Sequence, residues 1–235
     1  LSEHAADVAP ARRGSPDPAE FIKANMRLTP VPSLPEIRLY MAHPGSGLRR
    51  LLEPDGDAEE SAAEPPYWAY AWAGGAVLAR YVLDRPSIVM DRRVLDLGAG
   101  SGLVGIAAAK AGAREVLATE IDCNGVVALG LNAAANGVVI TTMGEDITAG
   151  PPPAVDLVLA GDVFYGQAVA RRVIPFLDRC LAAGIEVLVG DPGRAWLPRA
   201  RLRLLGEYQV PDVGGNGGGA PKPSGVFAFE LKSSN

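Results

Sequence analysis

Only two cysteines and two histidines occur in the 235 residues. Cys123 and Cys180 cannot build a disulfide framework, and together with His4 and His43 they do not supply a metal cluster, so no structural metal is expected. The same cysteine usage fits a reducing compartment, and the cytoplasm is the expected location. No stretch approaches the roughly 20 consecutive apolar residues of a membrane span, and the first residues lack the apolar core of a secretory signal. No membrane partner is expected. Positive charge is also short, since 22 Lys and Arg face 27 Asp and Glu for a net charge of -5. Wide nucleic-acid contact needs a basic surface that displaces counterions, so no nucleic acid is expected either.

What is present is apolar: 48% of residues, enough for one well-filled domain. Residues 1–19, rich in Ala, Pro and charge without periodicity, read as a flexible tail. A single domain is expected over 20–235, with an N-terminal extension over 20–66 that includes an acidic stretch, Glu53 to Glu64. The glycine-rich run Gly214 to Gly219 reads as a candidate lip over a site.

The run Val94 to Gly102, Val-Leu-Asp-Leu-Gly-Ala-Gly-Ser-Gly, has the form of a buried strand ending in a loop stripped of side chains, with a helix following from Leu103. That combination makes a cofactor cradle. Gly100, Gly102 and Gly105 also spell the dinucleotide fingerprint. Asp96 tilts the choice: a fixed negative charge beside the loop repels a pyrophosphate and favours the ammonium and sulfonium of S-adenosylmethionine. Its carboxylate can equally bond the loop's own amides.

Apolar strand-like runs alternate with helix-like ones from Val94 to Gly190, which predicts an α/β, doubly wound, mostly parallel sheet covered by helices. Leu204 to Val210 and Val226 to Leu231 form an expected antiparallel C-terminal hairpin at its edge. Ligands bind beyond the carboxyl ends of such strands, and an acid follows each: Asp96, Glu120, Glu145 with Asp146, Asp162 and Asp191. Glu120 stands where a carboxylate accepts both ribose hydroxyls. Asp146 is a candidate acceptor for the adenine amino group with Ile147 as apolar wall, or the N-cap of a short helix. Asp122 looks like the cap of the helix near Gly125. Trp68 and Trp72, four apart, read as one helix face, Trp72 with a further candidate role as a wall for the cofactor.

On Pro66 to Gly75 (Pro-Tyr-Trp-Ala-Tyr-Ala-Trp-Ala-Gly-Gly), Val94 to Gly102, Leu131-Asn132, Gly161 to Tyr165 and Gly190-Asp-Pro-Gly-Arg194, the chain resembles the class I, seven-strand S-adenosylmethionine-dependent methyltransferases. Within them it is similar to the lysine-directed branch with an Asp-x-x-Tyr signature, and there to the group acting on the electron transfer flavoprotein β subunit. The resemblance implies a seven-stranded sheet, S-adenosylmethionine as cofactor and a protein lysine as acceptor. It implies cofactor binding by Trp72, Asp96, Gly98, Gly100, Gly102, Glu120, Asp146, Ile147 and Gly161. Asp162 and Tyr165 become the candidate catalytic pair, Tyr165 with the alternative of a core aromatic. Arg194 is either an anchor for an acidic part of the substrate or a solvated turn residue. A small-molecule N-methyltransferase, and more remotely a nicotinamide-dinucleotide oxidoreductase, remain open at this point.

Overall fold

The computed structural model describes residues 16–52, 66–211 and 221–231. The acidic stretch and the glycine-rich run lie outside them, as does most of the expected tail. Pro18, however, opens helix α1 (Pro18–Asn25), whose N-terminus Asp17 caps by accepting the Glu20 amide at 3.0 Å. Ordered chain therefore reaches back into the stretch read as tail, because Phe21 and Ile22 give this helix an apolar face to bury.

An antiparallel pair, β1 (Arg27–Val31) and β2 (Leu34–Met41), follows, then the short α2 (Arg49–Leu52). The main sheet is built from β3 (Arg93–Leu97), β4 (Glu115–Thr119), β5 (Thr141–Met143), β6 (Leu157–Gly161), β7 (Glu186–Asp191), β8 (Leu202–Val210) and β9 (Lys222–Phe229). Its order is β5-β4-β3-β6-β7-β9-β8, parallel except where β9 meets β7 and β8. The expected doubly wound sheet of seven strands with an antiparallel C-terminal hairpin is what forms.

Side-chain alternation divides the core. Val94, Leu157, Leu159 and Leu188 pack with α3 (Ala73–Asp84) and α4 (Leu103–Lys110) on one face. Leu95, Leu97, Val158, Ala160, Val187 and Val189 pack with α6 (Gln167–Ala182) on the other. Residues two apart share a face, so Asp96 points with Val94 toward α4. Among the described residues no helix is long and apolar enough to cross a membrane.

Several strand limits differ from the apolar pattern: the run Val138 to Met143 predicts a strand that pairs only from Thr141, and β8 begins at Leu202, two residues before the expected Leu204. Val138 to Ile140 precede β5, because the Val138 amide is taken by the Ala133 carbonyl at the end of α5 (Cys123–Ala135). β9 begins at Lys222, four residues before the apolar run, since pairing with β8 is carried there by backbone and not by apolar side chains. The tryptophans differ too. Trp68 lies in a single 3-10 turn, Tyr67–Ala69, and is buried against α1 and α5, whereas Trp72 is the N-cap of α3, so the two share no helix face.

The first sheet is fastened to the rest by Asn132 of α5 and by Asn136, which caps the end of that helix. Asn132 is fully buried; its Oδ1 accepts the Tyr40 amide at 2.8 Å and its Nδ2 donates to the Ser101 carbonyl at 2.8 Å. One side chain thus joins β2, α5 and the glycine loop. Asn136 makes the equivalent pair of bonds to the Arg38 backbone nearer to water. Asn132→Ala is expected to lose on the order of 2–4 kcal/mol in urea unfolding, and Asn136→Ala about 1, because only the former strands its partners away from solvent. Equal losses would contradict this account.

Candidate functional site

The sheet order reverses direction at β3, with β4 on one side and β6 on the other, and the crevice opens beyond the carboxyl ends of those strands. A cavity of about 390 Å³ occupies it, within the roughly 300–1,000 Å³ of small-molecule sites. Asp96, Glu120 and Asp162 all line this one space, as do Trp72, Gly98, Gly100, Asp146, Ile147, Gly161 and Tyr165. Gly102 does not. It starts α4 with φ +80°, and a side chain there would meet Leu129 of α5 at 3.0 Å, so its part is to turn the chain into the helix.

The loop after β3 carries further left-handed angles at Gly98 and Gly100, φ +67° and +53°. Asp96, just before it, is 1% exposed, and its Oδ2 accepts the Gly105 amide of α4 at 2.7 Å. Burial pushes its carboxyl up to about 7. Its negative charge is therefore only partial at neutral pH, and the bonding role is the one its Oδ2 performs. Gly105 belongs to the same contact, since a side chain there would press on that carboxylate at 3.1 Å.

Glu120 is held from two directions: Oε2 accepts the Gly100 amide at 2.8 Å and Oε1 the Asp122 amide at 2.8 Å. The Ile121 backbone adds to these bonds, and the carboxylate is left with acceptor capacity toward the cavity. Burial raises its pKa against these bonds. Asp122 caps α5 through the Asn124 amide and accepts the Trp68 indole at 3.0 Å. Asp146 caps the 3-10 turn Ile147–Ala149 through Thr148 and faces Arg172 at 3.5 Å, so its second reading describes what Oδ1 does.

Asp162 leaves β6 with φ +59°, a left-handed angle that aspartate adopts more readily than most residues. Its Oδ2 accepts the Gly74 amide in the first turn of α3 at 2.6 Å, and its Oδ1 accepts Arg194 Nε at 2.7 Å. Glycine is required here. A side chain on Gly74 would meet the Asp162 amide at 2.7 Å, and one on Gly161 would meet Gly75 at 2.8 Å. The glycine pair admits the protein's own strand ends. Arg194 is thus paired inside the cavity and is not a solvated turn residue, a pairing the sequence does not show because nothing there links positions 32 apart. Asp191, the acid ending β7, does not line the cavity. Its Oδ1 accepts the Gly193 and Arg194 amides at 2.6 Å and shapes the turn that carries the arginine, while burial pushes its carboxyl up to about 6.

Tyr165 is 44% exposed, with its ring 4.9 Å from that of Tyr67. It is not a core aromatic; the next residue inward, Phe164, fills that role. Trp72 donates to the Tyr67 carbonyl at 2.7 Å, and the Arg194 guanidinium lies 5.9 Å from its ring. Among the described residues, no three His, Cys, Asp or Glu side chains are grouped to hold a metal.

A seven-stranded sheet with an antiparallel last strand and a glycine-loop cavity at its switch point is the architecture of the class I methyltransferases. Residues 79–161 match the family model of ribosomal protein L11 methyltransferase (PrmA). Among solved structures, ribosomal protein L11 methylase from Lactobacillus delbrueckii subsp. bulgaricus superposes with a TM-score of 0.51 at 24% identity, over 69% of this chain and 81% of that one; that likeness concerns the fold. The electron transfer flavoprotein beta subunit lysine methyltransferase of Xenopus laevis is 36% identical over 232 residues, 95% of this chain and 91% of the relative. The Rattus norvegicus enzyme of the same name is 35% identical over 82% of this chain and 76% of its own length. The chain belongs to the electron transfer flavoprotein beta subunit lysine methyltransferase family. It is accordingly a methyltransferase, with S-adenosylmethionine as its methyl donor.

The residues present fit that donor. Six acidic side chains and two arginines line the cavity, and even with the Asp96 charge only partial the balance suits a cation bearing hydroxyls and an amine and opposes a diphosphate. The Asp96 titration has its own consequence. Between the unfolded value near 3.9 and about 7 the folded protein holds a proton that the unfolded chain has released, so stability falls as pH rises through this window. Asp96→Asn removes this dependence. Thermal denaturation should find the variant's stability relative to the parent improved by about 2 kcal/mol at pH 8 compared with pH 5, and the same offset at both pH values would rule the carboxyl out.

Proposed function

We propose that this chain methylates lysine side chains of the electron transfer flavoprotein β subunit, with Asp162 and Tyr165 receiving the amine. The observation that carries the reading is the placement of Asp162 at the end of β6, fixed from two sides, in the same cavity as Glu120 and the glycine loop. The relatives' shared name supplies the substrate.

S-Adenosylmethionine, when bound, supplies a methyl group on a positively charged sulfur. Glu120 has the acceptor capacity to take both ribose hydroxyls, and its backbone bonds hold it in that attitude. Gly98 and Gly100 keep the loop free of side chains, Trp72 and Ile147 offer apolar walls, and Asp146 has Oδ2 to accept an adenine amino group in competition with Arg172. Asp96 acts indirectly, by holding the loop to α4, and Gly161 by admitting α3.

A lysine must arrive neutral to act as a nucleophile, which costs about 4 kcal/mol at pH 7.4 from a reference pKa near 10.4. Asp162 is suited to orient the amine and not to remove its proton, since a carboxylate favours the ammonium form. Its bonds to Gly74 and Arg194 anchor the carboxylate at the cavity wall, where it can face the hydrogens on Nζ. Tyr165, exposed at the mouth beside Tyr67, adds an aromatic wall along the lysine stem. The proton leaves to water at the open side.

Asp162→Asn keeps the acceptor for Gly74 and removes the charge. Methyl transfer to purified β subunit is expected to fall about 10²-fold, the scale of misplaced reacting groups, while calorimetric affinity for S-adenosylhomocysteine stays within a few fold; parallel loss of both would reassign Asp162 to cofactor binding. Saturating S-adenosylhomocysteine, at about 100 times its Kd, is expected to stabilise the protein by about 2.7 kcal/mol in thermal denaturation. NAD and NADP should give no shift, and stabilisation by the dinucleotides alone would remove the methyl-donor assignment.

A further inference from the structure

Of the charged side chains lining the cavity among the described residues, two are arginines: Arg172 against Asp146, and Arg194 against Asp162. Arg194 is the one at the acceptor end. Its position is built, since Asp191 takes both the Gly193 and Arg194 amides, which fixes the backbone from which the guanidinium extends. The guanidinium then reaches between Asp162 Oδ1 at 2.7 Å and the Trp72 ring, with its centre 5.9 Å from the ring centroid.

We propose that Arg194 is the positioning residue that offsets the charge of Asp162, so that the site receives the lysine as a neutral amine and not as a trapped ammonium. This rests on the reading of Asp162 as the amine's acceptor. A bare carboxylate in a half-buried cavity would raise the pKa of an adjoining lysine by about 1–3 units, and each unit removes ninety per cent of the nucleophile. Arg194 supplies the opposing charge at one oxygen, Oδ1. The other groups facing Asp162 act in known directions. The Gly74 amide brings the positive end of α3, Asp191 adds a negative charge from the end of β7 when ionised, and Tyr165 stands on the same loop. Asp191 is buried and bonded to the turn, whereas Arg194 is in direct contact with the carboxylate.

The experiment compares the parent protein, Arg194→Ala and Arg194→Lys in methyl transfer to purified electron transfer flavoprotein β subunit between pH 6.5 and 10. The alanine variant should lose tenfold or more at pH 7 and recover at alkaline pH, its profile displaced upward by about one unit or more. The lysine variant keeps the charge and should keep the parent profile. Without any cofactor, the alanine variant should also bind the β subunit several-fold more tightly at pH 7, a gain absent with a lysine-acetylated β subunit. S-Adenosylhomocysteine affinity within a few fold of the parent shows that the fold persists. A uniform loss at every pH, or an unshifted alanine profile beside an active parent, overturns the role of Arg194 alone. A parent that transfers no methyl group to the β subunit overturns the substrate reading and this inference with it.

Discussion

The close crossing of the first turn of α3 over the ends of β6 and β7 is the constraint on which the site depends. Gly74 and Gly75 come so near to Gly161, Asp162 and Gly190 that no side chain fits between them, and the space left by those missing atoms is taken by the bond from the Gly74 amide to Asp162. That contact fixes the carboxylate, brings Trp72, two residues earlier at the cap of α3, to the edge of the cavity, and has Arg194 bonded to the other oxygen of Asp162. A larger residue at Gly74, Gly161 or Gly190 would separate the helix from the sheet and displace acceptor, aromatic wall and arginine together.

The carboxylates around the cavity differ in kind. Asp96 and Asp191 are spent on holding turns, and burial keeps both within reach of neutrality. Glu120 is held by backbone amides and Asp162 by the Gly74 amide and Arg194, and both face the space they share. A rim of acids that would repel one another as bare charges is thereby tolerated: part of it is protonated or bonded inward, and part is opposed by arginine.

Much of this was legible before folding. Strand and helix alternation marked the sheet, because strands buried on both faces must be apolar throughout, and the glycine run after Val94 to Leu97 marked the ligand end. Glu120, Asp146 and Asp162 could be placed on the same rim from the rule that ligands gather beyond the strand ends. Less was legible where backbone or distance decides. The polar start of β9 carries no apolar signal, Trp72 becomes a cap because the glycines after it enter the helix, and Gly102 serves helix packing though it sits in the motif.

Sequence alone determined the fold class, the location of the ligand loop and the residue types at the strand ends, since these follow from periodicity and from side chains that only glycine can omit. Tertiary structure decided what each charge does. Whether Asp96 is a fixed anion or a titrating hydrogen-bond acceptor depends on how deeply α4 covers it, and the partner of Asp162 is a guanidinium 32 residues away that only the folded turn at the end of β7 brings within 2.7 Å.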